Sequence, residues 1–205
     1  MQTAFSATDT ASRWEPIKLP GASVWLRRRF LPERAATLLL DQLIADVPWR
    51  RDTIRMFGKT HALPRLQQWY GEPGRVYVWS GIEMHPLAWT PLLANVCDKV
   101  QRATRHEFDS VLLNYYRDGN DSVGWHADDE PELGPSPFIA SLSLGAERDF
   151  VLRQVDGERG RASIVLEHGS LLVMAGDTQA NWQHALPRRK RVSGARVNLT
   201  FRAFA

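Results

Sequence analysis

The chain has 205 residues, which suits one domain with a sizeable core, and its 43% hydrophobic and 24% charged fractions are typical of a soluble globular protein. No apolar run reaches the roughly 20 residues that a membrane-spanning helix needs, and the first residues lack the pattern of a signal peptide. Because Cys97 is the single cysteine, an internal disulfide and a cysteine-based zinc site are excluded. We therefore expect a cytoplasmic protein without a membrane partner.

The positive charge is clustered although the net charge is only +3. Basic runs occur at residues 27–29, 50–51 and 188–191. A solvated surface is the ordinary explanation for any one of these runs. Three runs in one chain shift the balance toward a polyanionic partner such as nucleic acid.

The first half of the chain predicts a loose tail, a strand and two helices. Residues 1–13 are small and polar, and residues 23–30 can form a strand. Pro32 begins a helix whose apolar residues recur at helical spacing until Pro48. A second helix is predicted over 90–105, with Thr90 as its cap.

Basic and aromatic residues are interleaved over 49–81, where glycine and proline divide the chain into short pieces. This mixture suits a surface that holds phosphates and stacks on bases. The alternative is that the aromatic side chains belong to the core, and we expect this for Trp49 and Trp69. Phe57 differs because it lies at a glycine turn between cations, where burial is difficult, so we interpret it as an apolar wedge for a base stack.

The pattern from residue 108 onward is that of short β-strands. Candidate strands are 111–116, 138–144, 149–154, 162–166, 171–174 and 195–204. Regularly spaced strands that follow two helices predict an α+β fold. We expect one domain, 1–205, with a jelly-roll sheet pair (a double-stranded β-helix) and helices packed outside one sheet.

A histidine and a carboxylate that could bind a metal lie two residues apart. His126 and Asp128 share one face of an extended segment and supply two of the three ligands of a non-heme iron site. A downstream histidine should supply the third. Spacing alone leaves both His168 and His184 open, with His184 slightly ahead because His168 has the setting of a turn. A zinc hydrolase fits the ligand types, but the sequence offers no obvious general base.

Polar residues alternate with apolar residues along the last strand. One face carries Val197, Leu199 and Phe201, and the other carries Arg196, Asn198, Thr200 and Arg202. The two arginines could hold a short dicarboxylate from both ends, or they could be solvated at an exposed edge. Asn114 and Tyr116, which share a face of an earlier strand, could donate hydrogen bonds to the same anion.

Taken together, these motifs resemble the AlkB family of Fe(II)- and 2-oxoglutarate-dependent nucleic-acid dealkylases. The similar segments are 114–119 (NYYRDG), 126–130 (HADDE), 141–145 (SLSLG), 168–172 (HGSLL), His184 and 196–202 (RVNLTFR). Segments 57–59, 64–65, 70–71 and 77–81 are similar in order and spacing to the branch of the family that prefers duplex DNA.

The resemblance implies a role for each of these residues. The metal ligands would be His126, Asp128 and His184, and Arg202 would complete the catalytic set. The 2-oxoglutarate site would contain Asn114, Tyr116, Arg196, Asn198, Thr200 and Arg202. The substrate contacts would be Phe57, Gly58, Lys59, Tyr77, Val78, Trp79, Asp129 and Glu130. Phe57 would fill the gap left by a flipped base, and residues 188–191 would grip phosphates. The family more often has a smaller aromatic residue at Trp79, which leaves the size of the base pocket open.

The implied activity is oxidative demethylation of N-alkylated bases, of the 1-methyladenine and 3-methylcytosine type, in DNA. Fe(II), 2-oxoglutarate and molecular oxygen would be required, and formaldehyde would be released. The partner would be alkylated DNA, single- or double-stranded, with RNA as a further candidate, and the protein would act as a monomer. Residues 49–81 would form a nucleotide-recognition lid on a catalytic jelly roll, 108–205. Two alternatives are a 2-oxoglutarate oxygenase that acts on RNA, protein or a small molecule, and a non-catalytic nucleic-acid-binding module.

Overall fold

The computed structural model describes residues 13–56, 58–72, 77–79, 82–155 and 160–205, without the side chains of 54–56, 59, 77–79 and 82–84. Two antiparallel sheets form the body of the fold. The larger sheet contains β1 (Glu15–Ile17), β2 (Ser23–Arg27), β5 (Leu66–Gly71), β8 (Ser110–Tyr116), β10 (Ile139–Gly145), β13 (Ser170–Ala175) and β15 (Arg196–Arg202). Its strand order is β1-β2-β13-β10-β15-β8-β5.

The smaller sheet has four strands in the order β12-β11-β14-β9. These strands are β9 (Val123–His126), β11 (Arg148–Gln154), β12 (Arg161–Leu166) and β14 (Trp182–Leu186). Two separate hairpins pair β3 (Thr53–Met56) with β4 (Lys59–Ala62) and β6 (Tyr77–Trp79) with β7 (Ile82–Met84). The helices are α1 (Glu33–Asp46), α2 (Pro91–Thr104) and α3 (Thr178–Asn181), and Pro131–Leu133 forms a 3₁₀ turn.

Local chemistry accounts for the two long helices. The hydroxyl of Thr90 accepts a hydrogen bond from the backbone N–H of Leu93, so the predicted cap of α2 is confirmed. Arg105 ends α2 in a left-handed conformation. Pro32 precedes α1 as its cap residue rather than as its first helical residue. None of the helices in the described ranges is long and apolar enough to span a membrane.

Two apolar clusters hold the layers together. One lies between the larger sheet and the helices, and it contains Val197, Leu199 and Phe201 of β15. The other lies between the two sheets, where Leu26 and Trp182 are buried. Every residue of β15 is buried, including its polar ones, because helices cover one face and the smaller sheet covers the other. The alternative of solvated arginines at an exposed edge is therefore wrong.

The predicted jelly roll with helices outside one sheet is confirmed, and each candidate strand after residue 108 is found with ends shifted by at most two residues. Trp69 is buried and Trp49 packs against the first cluster, as expected for core aromatics. The larger sheet also includes strands that precede residue 108. In particular, β5 lies within 49–81 and pairs with β8, whereas β3–β4 and β6–β7 are separate hairpins.

Candidate metal and co-substrate site

The end of β9 brings three metal-binding side chains together. His126 lies directly opposite His184 of the neighbouring strand β14, and their rings are 4.3 Å apart. Asp128 follows two residues after His126. One potential ligand atom from each of these residues lies within 4.8 Å of the other two. Asp128 and His184 are buried and His126 is half-buried, so the group could hold one metal ion with an open side.

Neighbouring groups fix the orientation of this triad. The Nδ1 atom of His126 is 2.9 Å from the carbonyl oxygen of Gly124, which can only accept, so the proton lies on Nδ1 and Nε2 is left for a metal. Arg202 donates a hydrogen bond from Nη2 to Oδ1 of Asp128 at 2.8 Å. The backbone N–H of Asp128 donates to Oε1 of Gln179 at 3.0 Å. The site is therefore held in shape by the protein itself.

Burial and the neighbouring charges set the protonation of the triad. Burial by itself raises the pKa of Asp128, but Arg202 and the two histidines outweigh it and bring the pKa to about 2. Burial, reinforced by His126, lowers the pKa of His184 to about 3. At neutral pH the carboxylate is charged and His184 is neutral, and these are the forms that bind a cation.

A polar wall with two arginines adjoins the triad in the same cavity. Its polar lining comes from β8 and β15: Asn114, Tyr116, Arg196, Asn198, Thr200 and Arg202. Arg196 is only 2% exposed and donates from Nη2 to Ser143 at 2.9 Å. Its Nε is buried with no hydrogen-bond partner among the described residues. Burial lowers the pKa of Arg196 to about 10, so the group remains charged at neutral pH and suits a carboxylate.

His168, the other candidate for the third metal ligand, lies away from the triad. His168 accepts a hydrogen bond at Nδ1 from the backbone N–H of Gly145, and its Nε2 lies 3.1 Å from the hydroxyl of Thr37. These contacts tie a turn between strands to α1. His168 does not belong to the metal-binding group found among the described residues, so the structure favours His184 as the third member.

The comparison with known families agrees with this geometry. The family model described as the 2OG-Fe(II) oxygenase superfamily matches residues 23–202. The chain belongs to this superfamily. The chain is 44% identical over 182 residues to the human alpha-ketoglutarate-dependent dioxygenase alkB homolog 3, which covers 84% of this chain and 63% of that protein. It is 47% identical over 157 residues to the human DNA oxidative demethylase ALKBH2, which covers 73% of this chain and 60% of that protein.

These relatives place the chain in the AlkB family of the superfamily. The chain spans about 63% of the length of the alkB homolog 3 proteins. A solved structure described as that of OsALKBH1 is 17% identical, covers 93% of this chain and 100% of that chain, and has a TM-score of 0.64. At this identity the structural likeness supports the fold alone.

Membership of a 2OG-Fe(II) oxygenase family brings Fe(II), 2-oxoglutarate and molecular oxygen as the required cofactor and co-substrates. The residues present fit these groups. A 2-His-1-carboxylate set with an open side suits Fe(II). A buried arginine with an unused donor beside that set suits one carboxylate of 2-oxoglutarate.

Two residues that support the site of this AlkB-family chain were missed at the sequence level. Arg65 is buried, lines the cavity and donates from Nε to Oδ1 of Asn114 at 2.7 Å. Because a guanidinium only donates, this bond turns the NH₂ group of Asn114 away from Arg65. The signal that could have identified Arg65 is that it lies in segment 64–65, one of the segments that resemble the duplex-DNA branch of the family. Gln179 supports Asp128 from α3, and no local pattern in the sequence identified it.

Asn198 and Thr200 have a bracing role in the cavity wall. Asn198 donates both amide hydrogens, to the hydroxyl of Ser141 and to the carbonyl of Leu142. The hydroxyl of Thr200 donates to Oδ1 of Asn198. The amide of Asn198 is thus engaged within the protein, which makes its direct contact with a co-substrate weaker than that expected of Arg196.

The residues expected on the substrate side are described in part. Asp129 is exposed, while Glu130 is half-buried with its Oε2 atom buried and without a hydrogen-bond partner in the described ranges. Gly58 is exposed and has a φ of 74°. Phe57 lies outside the described residues. The side chains of Lys59, Tyr77, Val78 and Trp79 also lie outside them.

The basic run 188–191 lies beside the turn that leads into β9. Arg188, Lys190 and Arg191 are exposed, whereas Arg189 forms an ion pair with Asp149 at 2.7 Å. Three cations of this run therefore face solvent.

Proposed function

We propose that this protein is an Fe(II)- and 2-oxoglutarate-dependent dioxygenase that demethylates N-alkylated bases, of the 1-methyladenine and 3-methylcytosine type, in DNA. The observation that carries the proposal is the junction, in one cavity, of a His126–Asp128–His184 group with the buried cation Arg196. Relatives named as DNA oxidative demethylases support the choice of substrate.

In this proposal the triad holds Fe(II), and Arg196 holds a carboxylate of 2-oxoglutarate. When bound, the metal and its co-substrate supply an oxidation of the methyl group that is coupled to loss of carbon dioxide. Arg202 keeps the carboxylate of Asp128 aimed at the metal position through its 2.8 Å hydrogen bond. Arg65 keeps the NH₂ group of Asn114 available as a donor.

The apolar part of the cavity protects this chemistry. Its lining includes Leu112, Val123, Phe150, Leu166, Met174 and Leu186. Because apolar walls exclude water, they strengthen the interactions between the charged groups and limit side reactions. The ring of Phe150 lies 5.0 Å from the ring of His184, so this side of the triad is closed by protein.

The substrate would enter from the side of Asp129, which is exposed beside the buried Asp128. We assign base contacts to Asp129 and Glu130 and the lid to 49–81, with Tyr77 and Trp79 lining the base pocket. Alkylated DNA, single- or double-stranded, is the proposed partner, and RNA is a second candidate. We also propose that the protein acts as a monomer in the cytoplasm.

The proposal gives Phe57 a role in the lid on the strength of the sequence alone. If Phe57 fills the gap left by a flipped base, Phe57→Ala should impair demethylation of duplex DNA more than that of single strands. Rates measured on the same lesion in both contexts test this. Equal losses on the two substrates would remove this role of Phe57 from the proposal.

The central test is an incubation of the protein with Fe(II), 2-oxoglutarate and an oligonucleotide that contains 1-methyladenine. We expect formaldehyde and unmodified adenine in equal amounts. His184→Ala should abolish turnover, and His168→Ala serves as the matched control because His168 lies outside the triad. If 2-oxoglutarate were consumed with a protein or RNA substrate but not with alkylated DNA, the alternative of an oxygenase with another substrate would be favoured. Failure to bind Fe(II) and 2-oxoglutarate would favour a non-catalytic binding module.

A further inference from the structure

The outer face of the smaller sheet carries a row of side chains that the proposed chemistry does not use. Arg153 of β11 lies directly opposite Arg161 of β12 on one side and opposite Gln183 of β14 on the other. The guanidinium carbon of Arg153 lies 4.5 Å from the ring centroid of Trp125 in β9. These four residues, which we call the outer row, cross all four strands of the sheet.

The stacked pair at the centre of the outer row is held in place. Arg153 donates from Nε and Nη2 to Oε1 of Gln183, at 3.0 and 2.7 Å. Trp125 remains 39% exposed although the guanidinium stacks on its ring. A fixed cation thus supports an aromatic side chain that still presents surface to solvent. The same strand carries His126, the residue after Trp125, so the row begins beside the metal site.

The outer row itself contains two cations and no carboxylate. Two arginines directly opposite each other on one sheet face repel and destabilise the pair. Neither Arg153 nor Arg161 forms an ion pair with a carboxylate in the part of the chain that the structure describes. Two cations beside an exposed aromatic ring are complementary to phosphates and bases, since proteins bind single strands by combining basic contacts with stacking.

We propose that the outer row binds an unpaired stretch of nucleic acid next to the base that is demethylated, with Trp125 stacked on a base and with Arg153 and Arg161 on phosphates. The inference rests on the proposed function. Stacking on Trp125 requires a base with a free face, and bases inside a duplex have both faces covered by their neighbours. The row spans three strand spacings, about 14 Å, which corresponds to about four stacked nucleotides.

The test compares single-stranded substrates of different length. One substrate is the mononucleotide of 1-methyladenine, which has no neighbouring base, and two others extend it by six nucleotides on the 5′ or on the 3′ side. We expect kcat/KM to rise on extension of one side. Trp125→Ala should reduce that gain about tenfold, the usual scale of base–aromatic stacking, and leave the mononucleotide unaffected. Trp125→Phe should retain most of the gain.

Two controls separate the row from general effects. Val165→Ala removes another exposed apolar side chain of the smaller sheet and should change nothing. Arg161→Ala should reduce the slope of log K against log salt, for unmodified single strands, by about 0.7. Arg102→Ala, which removes an exposed cation of α2, should leave the slope unchanged.

The experiments distinguish a failure of the outer row from a failure of the proposed function. A Trp125→Ala variant that keeps the full gain from flanking nucleotides would overturn the outer row as a binding site. So would equal losses on single-stranded and duplex substrates, because the stacked base must be unpaired. If the wild-type protein demethylated no substrate of any length, the proposed function would fail instead. Binding of unmodified single strands by the wild-type protein and Trp125→Ala would then still decide the outer row.

Discussion

Replacing Arg196 by methionine should separate co-substrate binding from stability. The pKa of Arg196 falls to about 10 because the group is fully buried, and at about 1.4 kcal/mol per pKa unit this disfavours the charged form by about 3 kcal/mol. A hydrogen bond to a charged group contributes about 1.5–3 kcal/mol. Loss of Arg196 should therefore weaken 2-oxoglutarate binding about 10- to 100-fold.

The same change should leave the unliganded protein as stable as before, or make it more stable. Methionine fills the space of the arginine stem with apolar atoms and removes a charge that donates to the hydroxyl of Ser143 and lies over the ring of Tyr116. Arg196→Lys is the matched control, because it keeps the charge but loses the planar fork, so its affinity should be intermediate.

The assay is calorimetric titration of 2-oxoglutarate into protein loaded with Mn²⁺ in the absence of oxygen, together with thermal unfolding of the metal-free protein. An unchanged affinity in Arg196→Met would remove Arg196 from the proposed 2-oxoglutarate site. A large fall in the unfolding temperature of the metal-free variant would show that the buried charge stabilises the empty cavity, contrary to the desolvation argument.

Three further predictions follow from named contacts. Asp128→Ala should abolish turnover and weaken Mn²⁺ binding, and it should cost about 3–5 kcal/mol of stability because Arg202 loses its buried counter-charge; preserved activity would refute the ligand assignment. Gln179→Leu should weaken Mn²⁺ binding about 10- to 100-fold, measured by titration, because the N–H of Asp128 loses its acceptor; an unchanged affinity would show that Gln179 does not position the ligand. His106 stacks on Phe138, and burial lowers its pKa below 6.5, so the folded state takes up its proton less readily than the unfolded state and stability falls as the pH falls below 6.5. Urea unfolding at pH 7.5 and 5.5 should show a smaller pH dependence in His106→Phe, and an equal dependence would exclude this histidine as a source.

The sequence predicted much of the site because its main signals are local. Side chains two residues apart on a strand share a face, so the pattern of β15 separated its cavity face from its core face before any contact was known. The same rule paired His126 with Asp128. The cap at Thr90 is local too, since its hydroxyl reaches an N–H three residues away.

Only the tertiary structure decided which distant groups meet. The sequence leaves both His168 and His184 as candidates for the third metal ligand. In the structure, β14 lies between β11 and β9 and brings His184 opposite His126. Arg202 reaches Asp128 across 74 positions of the chain, and Arg65 reaches Asn114 across 49. Residue periodicity specifies which face a side chain occupies, whereas strand order specifies what that face meets.

The sequence by itself thus determined the faces of the strands, the cap of α2 and the candidate ligand types in this AlkB-family chain. The tertiary structure decided the third member of the triad, the bracing by Gln179 and the alignment of Trp125 with Arg153. The physical reason is that alternation and capping act over a few residues, while the cavity is closed by pairing between strands that are far apart in the chain.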